Sequence, residues 1–205
     1  GRSQDVVVLY AGLHGLAQGL EQVVRAAGVL QEDTDFQFVL MGDGPEKGDL
    51  VQQAREQKVR NVRFLDPRPA DEIPAYLAAA DVVLISLKTD IPGAVPSKLY
   101  EAMASGRPVV LVARGEAADI VNEHQAGMAV DPGDVAGIAR ALRALRADAA
   151  LRQRLGENGR RAAERHFNRT TIATRFIDYL EAQMPSAELT GVALPQGQGE
   201  RSRAS

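Results

Sequence analysis

Residues 95–110 read VPSKLYEAMASGRPVV, and this stretch says more about the fold than any other part of the chain. It predicts a loop, a short helix over 98–104 with Ser97 as its N-cap, and then a buried strand. Gly106 is the expected end of the helix, and Pro108 leads into the apolar run that follows. The order of loop, helix and strand is typical of one unit in an α/β protein.

The start of this helix also carries a chemical pattern. Lys98 and the free N–H groups of the first helical turn favour an anion, with the helix dipole adding to the attraction. Glu101 lies one turn further along, where its two oxygens can bind a vicinal diol beside that anion. A phosphate next to a ribose presents both groups. The residues therefore indicate a site for a nucleoside diphosphate, as in a nucleotide-sugar.

Apolar runs alternate with helical-period stretches along most of the chain. Because continuous Val, Ile and Leu strands alternating with helices are typical of parallel sheets covered on both faces, we predict an α/β, doubly wound, Rossmann-like fold. Ligands are then expected at the carboxyl ends of the strands. The predicted strands are 6–10, 36–41, 61–65, 81–86, 108–112 and 128–130. The first predicted helix ends near residue 27, and the later ones span 46–58, 70–79, 98–104 and 115–124.

The C-terminal third is predicted to be helical. A long helical region over 135–164 is expected to break near Ala147 and Gly156, and an amphipathic helix follows over 169–184. From 185 to 205 the composition is poor in apolar residues, so we expect a disordered tail. We therefore predict one nucleotide-sugar-binding domain over 1–184. The chain lacks an initiator methionine and opens almost directly on a strand, as a piece of a longer protein would.

Composition excludes several classes of protein. The 205 residues are 45% hydrophobic and 25% charged, which is typical of a globular domain. A formal net charge of −3 argues against a nucleic-acid partner. The chain contains no cysteine, so disulfides and thiolate metal sites are excluded, and this suits the cytoplasm. No apolar run reaches the ~20 residues of a membrane span.

Arginine is concentrated towards the C-terminus. Between residues 140 and 175 there are ten arginines and only three acidic residues. Two interpretations remain open: a solvated helical face rich in arginine, or attraction to an anionic membrane leaflet that carries a lipid-linked acceptor.

Residues 95–110 resemble the donor-binding signature of family-4 retaining glycosyltransferases, which have the GT-B fold. The similarity is greatest to the bacterial branch that builds O-antigen, capsule and exopolysaccharide. Three other stretches resemble that family in order and spacing: 10–20 (YAGLHGLAQGL), 38–47 (FVLMGDGPEK) and 61–69 (NVRFLDPRP). The resemblance runs over residues 6–180.

This resemblance implies a function and a set of site residues. The chain would be the donor-binding half of an enzyme that moves a sugar from a nucleoside diphosphate, UDP above all, to an acceptor hydroxyl. No cofactor or metal is expected. The acceptor, a glycan or a lipid-linked molecule at the inner membrane surface, would bind to a missing N-terminal domain. Lys98 would be catalytic by stabilising the departing diphosphate, and an exposed His14 would contact phosphate or sugar. The implied donor-binding residues are Gly12, His14, Gly15, Gln18, Gly42, Gly44, Arg68, Gly93, Ala94, Val95, Ser97, Lys98, Leu99 and Glu101.

The chain departs from the common family pattern at three positions. Leu13 and Gln18 stand where many members have Arg and Lys, and Gly93 stands where many have the first of two glutamates. Either Lys98, loop amides and the helix start compensate, or the site is weakened. Two other functions stay open: a non-catalytic nucleotide-binding module and a nucleotide-sugar 2-epimerase of GT-B fold.

Overall fold

The computed structural model describes residues 5–33, 35–88 and 95–183. Within these ranges the strands are β1 (Val6–Ala11), β2 (Phe36–Met41), β3 (Val62–Leu65), β4 (Val82–Ser86), β5 (Val109–Val112) and β6 (Gly127–Val130). They form a six-stranded, all-parallel sheet with the order β3-β2-β1-β4-β5-β6. This order confirms the predicted α/β, doubly wound sheet.

Helices cover both faces of the sheet. Because the strands are buried on both sides, they read as nearly continuous apolar runs. The helices are α1 (Glu21–Leu30), α2 (Lys47–Glu56), α3 (Ile73–Ala79), α4 (Ser97–Ala104), α5 (Glu116–Glu123), α6 (Val135–Ala147), α7 (Ala149–His166) and α8 (Arg169–Gln183). Apolar residues of α1, α2 and α6 pack on one face, and those of α3, α4 and α5 on the other.

The sheet topology places four connecting segments side by side. All strands are parallel, so their carboxyl ends lie at one edge, and β3, β2, β1 and β4 are consecutive neighbours. The described parts of the segments that follow these strands therefore meet at that edge. They include two glycine turns (residues 12–15 after β1 and 42–44 after β2), the Pro67–Arg68 segment after β3 and the start of α4. The sequence predicts that these segments form one site.

The predicted helix break at Gly156 is wrong. The break after Ala147 is present, because Asp148 caps α7 by accepting a hydrogen bond from the Leu151 N–H at 2.8 Å. α7 continues through Gly156 without interruption. A Cβ at that position would overlap the carbonyl oxygen of Gly106, so the glycine permits close packing of α7 against the end of α4.

Ion pairs offset part of the arginine excess. Three arginines of α6 and one of α7 contact carboxylates, two of which belong to a distant part of the sequence. These pairs favour the interpretation of a solvated arginine-rich face over that of a membrane-binding surface. The pairs are Arg140–Asp134, Arg143–Asp33, Arg146–Asp35 and Arg160–Glu164.

The chain divides into two compact units. The first ends at Asn168 and contains the whole sheet, and α8 belongs to the second. The apolar side chains of α8 are exposed, among them Ile172, Phe176 and Tyr179. Of the helices in the described residues, none is long and apolar enough to span a membrane.

Candidate functional site

The start of α4 differs from the predicted N-cap. Ser97 is the first helical residue, Pro96 occupies the cap position with extended backbone, and no side chain caps the helix. The helix begins one residue early because the Leu99 N–H already donates to the Pro96 carbonyl oxygen at 2.9 Å. Leu99 is fully buried in the core, and its N–H is already hydrogen-bonded. Neither its side chain nor its N–H is therefore free to contact a nucleotide-sugar. The N–H groups of Ser97 and Lys98 remain at the helix start.

Lys98 extends from α4 over the turn that follows β1. Its Nζ lies 5.7 Å from the centre of the Tyr10 ring and directly against Gly12, where a Cβ would overlap it. Burial lowers the pKa of Lys98, and the Glu101 carboxylate opposes this shift. Within the described residues the ammonium has no hydrogen-bond acceptor. Lys98 is therefore a half-buried cation with no hydrogen-bond acceptor in the part of the chain that the structure describes, aimed at the edge of the sheet where an anion is expected.

The two glycine turns at this edge interlock. Gly42 has a φ of 144°, and a Cβ there would overlap the Gly12 carbonyl oxygen. Gly44 has a φ of 153°, and its Cβ would lie 2.5 Å from the His14 carbonyl oxygen. The Gly12 N–H donates to Met41 at 2.8 Å. Both positions require glycine, since the backbones of the two turns touch.

A cleft of about 360 Å³ opens between these turns and α4. It brings together five of the predicted donor-binding residues: Gly12, Gly42, Arg68, Lys98 and Glu101. Its remaining wall is largely apolar and is formed by Ala11, Leu13, Met41, Asp43, Pro67 and Ile73. A cation at one end, a carboxylate one helical turn away and apolar walls can hold a phosphate, a diol and a flat ring together.

Arg68 lies at the end of the cleft that follows β3. Its guanidinium carbon is 6.0 Å from the centre of the Tyr76 ring, so the side chain rests over an aromatic face of α3. Arg68 and the preceding Pro67 both line the cleft.

The expectation of an exposed His14 is wrong. The residue has no exposed surface, and its ring lies 5.9 Å from that of Tyr10 and 6.3 Å from that of Phe64. Neither ring nitrogen has a hydrogen-bond partner among the described residues. Burial lowers the pKa of His14, and the charge of Lys47 lowers it further. Its main chain is bonded to the second glycine turn, so the side chain turns inward rather than towards a ligand.

Several other predicted residues are not part of the cleft. Gln18 folds back over Gly15, where a Cβ would lie 2.8 Å from its side-chain oxygen. Val95 packs against the core, and the exposed Ser97 lies outside the cleft lining. Gly44 packs against the backbone of His14 and does not line the cleft. The predictions for Gly93 and Ala94 lie outside the described residues.

Sequence reasoning missed a lysine that helps to build the site. Lys47 donates from Nζ to the Gly42 carbonyl oxygen and to Asp66 Oδ1, both at 2.9 Å. The hydrogen bond and charge of Lys47 lower the pKa of Asp66. The sequence signal was present, because Lys47 closes the same 38–47 stretch as the glycine turn. Its partner Asp66 lies nineteen residues later, so only the fold connects them.

A buried glutamine joins the neighbouring connections. Gln22 donates from Nε2 to the Ser86 hydroxyl at 3.0 Å and to the Leu87 carbonyl oxygen at 3.3 Å, and accepts from the Gly133 N–H at 2.7 Å. α1 is thereby fastened to the ends of β4 and β6.

Across the described ranges there is no group of three or more His, Cys, Asp or Glu side chains that could hold a metal ion.

The model of the family described as glycosyl transferases group 1 matches residues 2–162. The lipopolysaccharide core biosynthesis glycosyltransferase LpsE of Rhizobium meliloti (strain 1021) is 32% identical over 173 residues, which are 84% of this chain and 46% of that protein. The chain spans less than half the length of this and similar curated relatives.

Solved structures share the fold. Anabaena Alr3699/HepE in complex with UDP matches with a TM-score of 0.76 and 25% identity, over 88% of this chain and 50% of that one. The C-terminal domain of the group 1 glycosyl transferase LpcC from Francisella tularensis matches with a TM-score of 0.69 and 22% identity, over 80% and 87% of the two chains. The family match covers most of the sheet-bearing unit and the sheet is that of GT-B enzymes, so this chain belongs to the group 1 glycosyltransferase family.

Proposed function

We propose that this chain is the donor-binding, C-terminal half of a family-4 retaining glycosyltransferase that uses a UDP-sugar in the synthesis of a bacterial surface polysaccharide. The observation that carries the proposal is the pairing of Lys98 and Glu101 on one face of α4, at the cleft above β1 and β2. The UDP complex of a structure with the same fold and the polysaccharide roles of the relatives support the choice of donor and pathway.

The proposal gives each end of the donor its own set of cleft residues. Lys98 and the N–H groups at the start of α4 bind the diphosphate, because they supply a positive charge and the positive end of the helix dipole. Glu101 binds the two ribose hydroxyls, and the apolar wall with Pro67 and Arg68 contacts the base. Leu13, which replaces the arginine of the common pattern, adds apolar surface instead of charge.

The proposed reaction breaks the bond between the anomeric carbon and the oxygen of the diphosphate. A bond to the acceptor oxygen forms on the same face of the sugar, and the acceptor hydroxyl loses its proton. Lys98, which lines the cleft, would face the negative charge that develops on the leaving diphosphate in this proposal. Its contribution is electrostatic preorganisation, which does not require a side-chain nucleophile.

The acceptor and any base that takes its proton belong to an N-terminal half in this proposal. α8 exposes an apolar set that includes Ile172, Phe176 and Leu180, as a helix that packs on a second domain would. The present chain is expected to bind donor without turning it over, because transfer needs both substrates within reacting distance. Turnover near the full-length rate by this chain alone would contradict the division.

The test is calorimetric titration of the chain with UDP. Wild type should bind, and Glu101→Ala should weaken binding by ~1.5–3 kcal/mol, since a charge-assisted hydrogen bond to the ribose is lost. Glu56→Ala is the matched control, because Glu56 is exposed on α2 and, within the described residues, its carboxylate accepts a hydrogen bond only from the Gln52 side chain. Equal affinities of the Glu101 variant and the control would contradict the ribose role.

A further inference from the structure

We propose that Lys47 is a positioning residue for the donor cleft, which fixes the turn after β2 and the segment after β3 relative to each other. The inference rests on the proposed function, since it concerns the nucleoside end of the same cleft. Lys47 is the first residue of α2 and does not line the cleft itself. Its side chain reaches two segments that do, one through Gly42 and the other through Asp66.

The first contact completes the hydrogen bonds of Gly42, whose N–H is already bonded to the neighbouring strand. Gly42 lies in a region of backbone conformation that favours glycine, with a φ of 144°. Its N–H donates to the Leu65 carbonyl oxygen at 3.0 Å, and the space of a Cβ is occupied by Gly12. The Lys47 ammonium takes the Gly42 carbonyl oxygen at 2.9 Å. Both polar groups of Gly42 are thus fixed, and the peptide presents a defined surface to the cleft.

The second contact fixes the opposite wall. Asp66 immediately precedes Pro67 and Arg68, which both line the cleft. Asp66 Oδ1 accepts from the Lys47 Nζ at 2.9 Å. The carboxylate is 93% exposed, so the ion pair adds little to overall stability. Its effect is geometric, because one ammonium joins the two segments between which a nucleoside would lie.

Lys47 and Lys98 are therefore expected to act differently. Lys47 already serves two protein acceptors, and its side chain is only 19% exposed. Lys98 has no acceptor within the described residues and points into the cleft. Loss of Lys98 should affect the phosphates only. Loss of Lys47 should weaken binding of the nucleoside. Every ligand that contains the nucleoside should then lose affinity by the same factor.

The experiment compares Lys47→Met, Lys98→Met and Lys58→Met, with uridine and UDP as titrants in calorimetry. Lys58→Met is the control for charge removal, since Lys58 is exposed beyond the end of α2. Lys47→Met should lower the affinities for uridine and for UDP by the same factor of about ten. Without the supporting contact, the cleft residues that bind the nucleoside are misplaced. Lys47→Arg should restore most of the affinity, since its several N–H donors can serve both acceptors.

A second measurement needs no ligand. Amide hydrogen exchange of Gly42 should be faster in Lys47→Met than in wild type or Lys58→Met, because loss of the ammonium contact at the Gly42 carbonyl loosens the turn, whose Gly42 N–H donates to the Leu65 carbonyl oxygen. Unchanged exchange at Gly42, or a loss confined to UDP, would overturn the positioning role. If wild type binds no UDP and Gly42 exchange still rises in Lys47→Met, the proposed function fails while the coupling of the two segments stands.

Discussion

Gly12→Ala is expected to damage the phosphate end of the cleft without damaging the fold. The Ala methyl group would overlap the Lys98 Nζ and lie 2.8 Å from its Cε and 3.2 Å from the Tyr10 hydroxyl. The overlapping atoms are the far end of a flexible side chain, which can move away. Gly12 has no positive φ, so alanine fits its backbone. The substitution therefore displaces the ammonium and little else.

The size of the effect follows from what Lys98 loses. A hydrogen bond between an ammonium and a phosphate is worth ~1.5–3 kcal/mol. At 1.4 kcal/mol for each factor of ten, UDP affinity should fall about 10- to 150-fold. Uridine affinity should stay near the wild-type value, because Glu101 and the apolar wall are not touched. The melting temperature should change little.

The assay is calorimetry on Gly12→Ala, Lys98→Met and the double variant. If alanine acts through Lys98, the double variant should bind UDP no more weakly than Lys98→Met alone. Gly48→Ala is the matched control, since a Cβ there meets no atom within 4 Å. Additive losses in the double variant, or equal losses for uridine and UDP, would refute the reasoning.

Two further substitutions test the packing around the site. His14→Leu should raise the free energy of unfolding by about 1 kcal/mol, because two unpaired ring nitrogens are removed from the interior. Since burial lowers the pKa of His14 from its ordinary 6.5, the unfolded chain binds a proton that the folded chain does not. Wild-type stability should fall as the pH drops below about 6.5, and denaturant titrations should show a weaker fall in the leucine variant. An unchanged pH dependence would contradict this account. Gly156→Ala should destabilise by about 1–3 kcal/mol, because its methyl group overlaps the Gly106 backbone. Thermal unfolding beside Gly48→Ala checks this, and equal melting temperatures would contradict it.

The fold was predictable because its pattern is local. Each strand is a short apolar run, and each helix has a start or stop residue within a few positions. The end of α4 shows this, since Gly106 takes a positive φ of 72° directly after the helix. Strand ends that are consecutive in a parallel sheet then place the connecting segments together without further information.

The errors arose where a distant segment decides the outcome. A histidine between glycines reads as an exposed loop residue, but Phe64, on a strand fifty residues later, encloses it. Gly156 reads as a helix breaker, but it lies within α7 because the Gly106 carbonyl oxygen occupies the space that a Cβ would need. Lys47 reads as an ordinary helix start, and its partner Asp66 is far along the chain. Periodicity cannot reveal contacts of this kind.

The residues that carry the proposed chemistry were predictable for a different reason. Lys98 and Glu101 are three positions apart, so a single helix places both on one face whatever the rest of the chain does. Gly12 and Gly42 follow neighbouring strands, and the topology brings them together. The side chains of Gln18 and Leu99 were beyond such reasoning, because local packing alone turns them away from the cleft.

The most direct test of the donor-site proposal is a crystal structure of this chain with UDP. The account predicts a phosphate oxygen within ~2.7–3.2 Å of the Lys98 Nζ and both ribose hydroxyls on the Glu101 carboxylate. It also predicts the uracil ring against Pro67 and Arg68 in the cleft. UDP bound at another part of the surface, or in the cleft with its diphosphate away from Lys98, would contradict the account.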